Sequence, residues 1–385
     1  MVFIERNHYL AQIQSLFRSH TVVGLLGPRQ CGKTTLAREF SAKFNGEVHH
    51  FDLEDPLDLN RLSDARLALD QLSGLIVLDE IQRLPEIFPI LRVLVDRPQS
   101  TIKVLVLGSA SPQLIRQSSE SLAGRIAYLE LTPFSNFEVS NHKALWLKGG
   151  YPPSFLANSL GDSFSWRKNY VSTFLERDLP MLGIDLSTVM LRQLWTMLAH
   201  CHGNVLNYSD LSRSLGVTSP TVRRYVDILE STFVVRKLAP WFENVSRRQV
   251  KAPKIYLRDS GILHYLLNLS DLVSLESYPR LGASWEGFAL EQTIRKLDLD
   301  VGQAYFWRLH SGSEIDLLVV KGNEREGFEF KYSSTPRATR SMYTAIEELR
   351  LDRLTVIHPG EIDYPLTDQI DVMGLSTIMS LTTTS

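Results

Sequence analysis

Residues 24 to 36 read GLLGPRQCGKTTL, and this short stretch restricts the fold of the chain more than any other. Gly27, Gly32, Lys33 and Thr34 fit the spacing G-x-x-x-x-G-K-[ST]. In that spacing successive backbone N–H groups wrap a phosphate, the lysine reaches the outer phosphates, and the last hydroxyl ligates Mg²⁺. The flanks agree. Thr21 to Leu26 (TVVGLL) is an apolar, β-branched run suited to a buried strand, and Thr34 to Phe44 spaces Leu36, Phe40 and Phe44 four apart, as one helix face does. Strand, glycine loop, helix aims a helix N-terminus at an anion. The residues expected around the phosphates are Gly27, Pro28, Arg29, Gln30, Cys31, Gly32, Lys33, Thr34 and Thr35.

A second motif follows at a suitable distance. In GLIVLDEIQRLP (Gly74 to Pro85), four apolar residues make a buried parallel strand that ends in Asp79 and Glu80. A carboxylate at the C-terminal tip of such a strand lies at the ligand crevice of the sheet. Asp79 is expected to share Mg²⁺ with Thr34, and Glu80 to orient or deprotonate an attacking water. IKVLVLGSAS (Ile102 to Ser111) reads as a third strand. Ser109 at its end suits a hydrogen bond to a γ-phosphate or to the water, or an ordinary turn. Arg125, on a loop before the strand IAYLEL, suits either an arginine finger for a neighbouring subunit's nucleotide or a surface position.

Bulk properties set the limits. A length of 385 residues suggests two or three domains. With 41 basic and 43 acidic side chains, nothing global demands nucleic acid or membrane, so a basic surface must be local. Cys31 and Cys201 lack metal-ligand spacing and fit a reducing compartment, with Cys31 a filler in the loop. The N-terminus has no signal-peptide core, and no stretch reaches the roughly 18 apolar residues of a membrane span. A cytoplasmic protein with no membrane partner is expected.

Between Trp146 and His202 the aromatic and leucine spacing favours helices. In Gly203 to Leu238, Ser209 can cap a helix carrying Leu211 and Leu215, which Gly216 ends; Ser219 and Pro220 open a second helix. That helix buries Val222, Val226 and Leu229, shows Arg223 and Arg224, and carries acid at Asp227 and Glu230; the strand TFVVRKL follows. This order is a winged helix-turn-helix, whose second helix would lie in a DNA groove or serve in protein packing. Just beyond, Arg247, Arg248, Lys251, Lys254 and Arg258 fall within thirteen acid-free residues, a local phosphate-binding candidate or a solvated loop.

In Ser311 to Ser333, EIDLLVV and GFEFKY read as a hairpin joined by the polar turn KGNERE. Glu329 and Lys331, two apart, share a face, and the hairpin can bring Asp316 to them. Upstream, WEGFALEQTIRKL is an amphipathic helix supplying Glu286, or alternatively Glu291. Carboxylates holding Mg²⁺, with a lysine to steady developing charge, are what metal-assisted phosphodiester hydrolysis needs. Glu286, Asp316 and Glu329 are the expected metal ligands, and Glu329 and Lys331 the catalytic pair.

GPRQCGKTTL, LIVLDEIQ, LVLGSAS and SLAGRIAYLELTPFSNFE together resemble the AAA-type ATPases of bacteria and archaea that carry a C-terminal region of unassigned role. The resemblance implies an α/β P-loop NTPase fold with a parallel, AAA-like sheet. It further implies ATP hydrolysis with Thr34 and Asp79 on Mg²⁺, catalytic Glu80, sensor Ser109 and a recurring Arg125. The order Glu286, Asp316, Glu329-x-Lys331 resembles the PD-(D/E)XK nuclease superfamily and implies an α/β nuclease-like domain. The expected organisation is an ATPase domain over 1–142, a helical segment over 143–202, a winged helix over 203–250, a nuclease-like domain over 251–365 and a tail over 366–385. The leading expectation is an ATP-hydrolysing, homo-oligomeric machine acting on DNA, with metal-dependent cleavage left open and branched or broken DNA as candidate substrates. The alternative is a nucleotide-dependent switch for a protein partner, in a stress or toxin-like role, with an inert nuclease fold.

Overall fold

The computed structural model describes residues 3–98, 101–109, 118, 120–181, 187–242 and 250–381. The chain packs as two compact units, Met1–Pro133 with Ser231–Phe233, and Phe134–Glu230 with Val234–Ser385. No helix among the described residues is long and apolar enough to cross a membrane.

In the first unit, helix α1 (Asn7–Ser19) precedes strand β1 (Val22–Leu26), helix α2 (Lys33–Lys43), β2 (Val48–Asp52), β3 (Leu75–Asp79), α3 (Ile87–Val95), β4 (Lys103–Gly108) and β5 (Ile126–Glu130). Among the described residues the strands form one all-parallel sheet in the order β2-β3-β4-β1-β5. Strands buried on both faces need near-continuous apolar runs, and VVGLL and LIVLD are buried at every position. Alternation then divides them. Val23, Leu25 and Val77 join Ile13, Phe17, Leu36 and Phe40 of α1 and α2 in one core, while Val22, Leu26, Ile76 and Leu78 join Phe88, Leu91 and Leu94 of α3 in another. Because β4 inserts between β1 and β3, the loop after β1, Ser109 after β4 and Asp79 at the tip of β3 stand along one edge of the sheet.

In the second unit the described helices are α4 (His142–Lys148), α5 (Leu160–Thr173), α6 (Thr188–His200), α7 (Tyr208–Leu215), α8 (Ser219–Ser231), α9 (Ser260–Leu266), α10 (Leu281–Lys296), α11 (Arg340–Leu349) and α12 (Leu375–Ser380), with a few shorter turns between them. The strands are β6 (Asn204–Val205), β7 (Val235–Pro240), β8 (Lys254–Leu257), β9 (Ala304–Arg308), β10 (Glu314–Lys321), β11 (Glu324–Phe330), β12 (Arg353–His358), β13 (Tyr364–Pro365) and β14 (Ile370–Gly374). They form one mixed sheet in the order β13-β14-β12-β11-β10-β9-β7-β8-β6.

Helix α7, the αL residue Gly216, helix α8 and the antiparallel pair β7–β8 follow one another along the chain. The cap sits earlier than the sequence suggested: the Asn207 side chain, not Ser209, accepts from the amides of Ser209 and Asp210. Asn is an equally good cap, and the first apolar anchor, Leu211, is reached one turn on. Strand β7, expected in the winged helix, and strand β9, expected in the nuclease-like domain, share one sheet, paired in parallel through Ala239↔Tyr305 and Pro240↔Phe306. Residues 366–381, expected as a tail, instead supply β14 and α12. Ile370 and Val372 are fully buried beside β12, and Leu375, Ile378 and Met379 are buried behind them.

Candidate nucleotide site and a buried carboxylate centre

Two backbone features shape the loop after β1. A Cβ on Gly27 would lie 2.2 Å from the Leu131 carbonyl oxygen, so only glycine fits under the neighbouring chain. Gly32, just before α2, holds φ at 102°, and Gln30 adopts the left-handed region with φ 60°. Such alternating backbone turns N–H groups inward to form an anion-binding hollow. The Lys33 ammonium is buried in it and donates to the carbonyls of Gly27 at 3.0 Å and Pro28 at 2.9 Å. Cys31 is fully buried in the core beneath the loop, where burial pushes its thiol pKa up, in keeping with a filler. Arg6 clamps the loop from outside, donating to the Cys31 carbonyl at 3.2 Å and the Thr132 carbonyl at 2.9 Å. Sequence reasoning missed Arg6, which carries no local motif. Pro28 is buried, Arg29 half-buried and Thr35 exposed.

The structure brings the two motifs together. The Thr34 hydroxyl donates to Asp79 Oδ2 at 2.6 Å, and the Glu80 amide donates to Asp79 Oδ1 at 2.9 Å. A hydroxyl and a carboxylate held side by side at the mouth of the loop are hard oxygen donors of the kind Mg²⁺ takes when phosphates and waters complete its shell. The donor set therefore fits Mg²⁺. Glu80 stands in the left-handed region at φ 54°, a conformation that costs roughly 1–3 kcal/mol in a non-glycine residue and is typical of functional sites. Gln82 donates to its carboxylate. Ser109 is half-buried at the end of β4.

Arg125 lies elsewhere. It precedes β5, and Val22↔Ile126 pairing puts it at the start of the parallel strands, five residues and about 16 Å from the phosphate-loop edge. Its guanidinium holds both Asp96 oxygens, at 2.5 and 2.8 Å, and its hydrogen bond lowers the Asp96 pKa. It cannot serve the nucleotide of its own chain; a finger role requires a second copy.

In the second unit β10 and β11 form the expected hairpin, with Leu317↔Phe328 and Lys321↔Glu324 in register. The β9–β10 register slips between Ile315 and Leu318, a bulge of the kind that re-aims a side chain, here at Asp316. Asp316 Oδ2 accepts the Phe330 amide at 3.1 Å, and Glu329 Oε2 pairs with Lys331 at 2.6 Å. Glu286 faces the same centre from α10, where its Oε1 accepts the Tyr256 hydroxyl at 2.6 Å.

The centre also contains Lys254, a residue the sequence placed in a basic surface run. Its side chain is 2% exposed, and its Nζ lies 3.1 Å from Glu286 Oε1, 3.3 Å from Asp316 Oδ1 and in contact with Glu314. Burial opposes the charge on Lys254, yet the acidic groups around it, Tyr256 and Glu286 first, hold its pKa well above the ordinary value. Burial, and then the Asp316 charge, push Glu286 up to about 7 and Glu329 up to about 8. Among the described residues, no three His, Cys, Asp or Glu side chains are grouped to hold a metal ion. The expected ligand set Glu286, Asp316 and Glu329 thus does not fit a divalent ion here, because an ammonium stands among the oxygens.

Two further expectations change. Glu291 is no ligand: its buried carboxylate meets Arg236, Arg258 at 3.3 Å and Arg295 at 3.7 Å. Lys254 and Arg258 are therefore both committed inside the unit and drop out of the expected basic run; Lys251 is exposed, and Arg247 and Arg248 lie outside the described residues.

Residues 19–140 match the model of a family described as an AAA domain. Residues 140–273 and 281–378 match two domains of unknown function, DUF8612 and DUF4143. Over 381 residues the chain is 47% identical to uncharacterized proteins of Mycobacterium tuberculosis and Mycobacterium bovis, covering 98% of this chain and 86% of each of theirs. A Walker-type ATPase of Pyrococcus abyssi is similar over 69% of this chain and 96% of its own, at 15% identity and a TM-score of 0.48, a likeness too slight to carry an argument. This chain belongs to the same family as the mycobacterial proteins and carries an AAA-type, nucleotide-binding P-loop domain in its first third.

Proposed function

We propose that the first unit binds and hydrolyses ATP, and that nucleotide state governs DNA binding by the helix-turn-helix of the second. The observation that carries the first half is the Thr34–Asp79 pair at the mouth of the Lys33 loop. Backbone N–H groups of residues 27–34 would cradle the β-phosphate, and Lys33 would exchange its loop carbonyls for phosphate oxygens. Thr34 and Asp79 would hold Mg²⁺, which when bound neutralises phosphate charge. Glu80 would orient the attacking water and take its proton, with Ser109 steadying water or γ-phosphate. A homo-oligomer belongs to the same reading, since Arg125, paired with Asp96 here, would meet a nucleotide only in a neighbouring copy.

DNA contact draws support from charge bookkeeping on α8. Arg223 and Arg224 are exposed, while the acids Asp227 and Glu230 are both held by Lys237 of β7, at 2.6 and 2.7 Å. Arg223 and Arg224 thus place two cations on the exposed N-terminal half of the helix. The second reading, a nucleotide-dependent switch for a protein partner, draws on the same Asp227, which remains solvent-exposed. ATP turnover measured with plasmid and branched DNA across a salt series separates them. The DNA reading expects stimulation that fades as salt rises, since phosphate contacts release counterions. Turnover indifferent to both DNA types at low salt contradicts it.

A further inference from the structure

Each of the three carboxylates expected to hold a divalent ion already takes a donor from this chain on at least one oxygen. Asp316 gives one oxygen to Lys254 and the other to the Phe330 amide, Glu286 Oε1 takes Lys254 and the Tyr256 hydroxyl, and Glu329 takes Lys331. Glu314, the fourth carboxylate, is shared between Lys254 and Arg308, the latter at 3.4 Å. Lys254 has little freedom to withdraw. It is 1% exposed, it opens β8, and β8 is hydrogen-bonded on both sides, to β6 through Asn204↔Ile255 and to β7 through Leu238↔Lys254. Its ammonium also stands 5.8 Å from the Phe306 ring centroid.

We infer that the Lys254 ammonium is the resident cation of this centre and keeps divalent ions from Glu286, Asp316 and Glu329, so that the second unit does not cut phosphodiesters by metal chemistry. A lysine carries one charge and three donors, which satisfy carboxylate lone pairs but cannot activate a water as a metal does. The centre fastens β8 to α10 and β10 and leaves this unit a platform. The inference concerns only the second unit and stands apart from the nucleotide reading.

Manganese binding to the nucleotide-free full chain tests it, read by the loss of free Mn²⁺ signal in electron paramagnetic resonance. Wild type and Asp316→Asn are expected to bind the same amount. Lys254→Ala is expected to gain one Mn²⁺ per chain, and Lys254→Ala with Asp316→Asn to lose it again. A Mn²⁺ that wild type binds and Asp316→Asn loses overturns the inference, as does plasmid cleavage that depends on Asp316. A folded Lys254→Ala with no added Mn²⁺ also overturns it, since the lysine would not be what excludes the ion. Should Lys254→Ala fail to fold, wild type against Asp316→Asn decides alone: equal binding supports the inference and a difference removes it.

Discussion

Replacing Glu291 by glutamine removes one negative charge from among three guanidinium groups. Burial alone would raise the Glu291 pKa, but Arg236, Arg258 and Arg295 overrule it and pull it from the ordinary 4.5 down to about 2. The shift corresponds to about 3 kcal/mol favouring the ionised, folded form, at roughly 1.4 kcal/mol per unit. A second route gives a similar figure: removing one partner of a buried ion pair costs about 3–5 kcal/mol, because the other charge is left uncompensated. All six tryptophans lie between residues 146 and 307, so their fluorescence reports the second unit alone. Urea unfolding followed this way at pH 7 should show the midpoint of Glu291→Gln lowered by about 1 M or more. The sign of the pH dependence is fixed as well. A depressed carboxylate stabilises above its unfolded pKa and loses that contribution as pH falls toward the folded value, so the gap should narrow from pH 5 to pH 3. A gap below about 1 kcal/mol at pH 7, or one unchanged by acid, refutes the reasoning.

Other outcomes follow from the same geometry. Glu80→Gln should retain nucleotide affinity while phosphate release slows by about 10²–10⁴-fold; equal losses of binding and turnover would point to a folding role instead. Replacing exposed Arg224 by alanine should weaken DNA binding across sequences and reduce the slope of log K against log salt by about 1, measured by fluorescence anisotropy. Burial keeps His202 and His264 neutral down to about pH 3, with their pKa values lowered from 6.5. The unfolded chain protonates both, and Glu291 besides, so between pH 4 and 3 the second unit should lose about 3 kcal/mol per pH unit. A flat urea midpoint over that interval would contradict this.

What was legible in the sequence was what is local. The loop from Gly27 to Thr34 and the tip at Asp79 declare themselves because strand, turn and helix signals adjoin them. The β10–β11 hairpin was readable from alternation around a polar turn, although Lys321 and Glu324 to Glu326, expected in that turn, belong to the strands. Lys254 was not, since its burial depends on β8 lying inside a sheet whose two halves meet through a single short parallel pairing, β7 with β9. In the sequence it stands among other cations and reads as surface. Arg6 was invisible for a related reason: 25 residues separate it from the carbonyl it clamps. Glu291 shares its helix with Glu286, and only the arrival of Arg236 and Arg258 from other strands and loops separates an ion-paired residue from a candidate ligand.

The central claim is tested most directly by calorimetry of ATP or ADP, with Mg²⁺ present, against the full chain and Lys33→Ala. One nucleotide should bind per wild-type chain, and loss of an ammonium worth about 1.5–3 kcal/mol per charge-assisted hydrogen bond should weaken binding at least about tenfold in the variant. No heat from wild type, or equal affinity in both, would contradict the account.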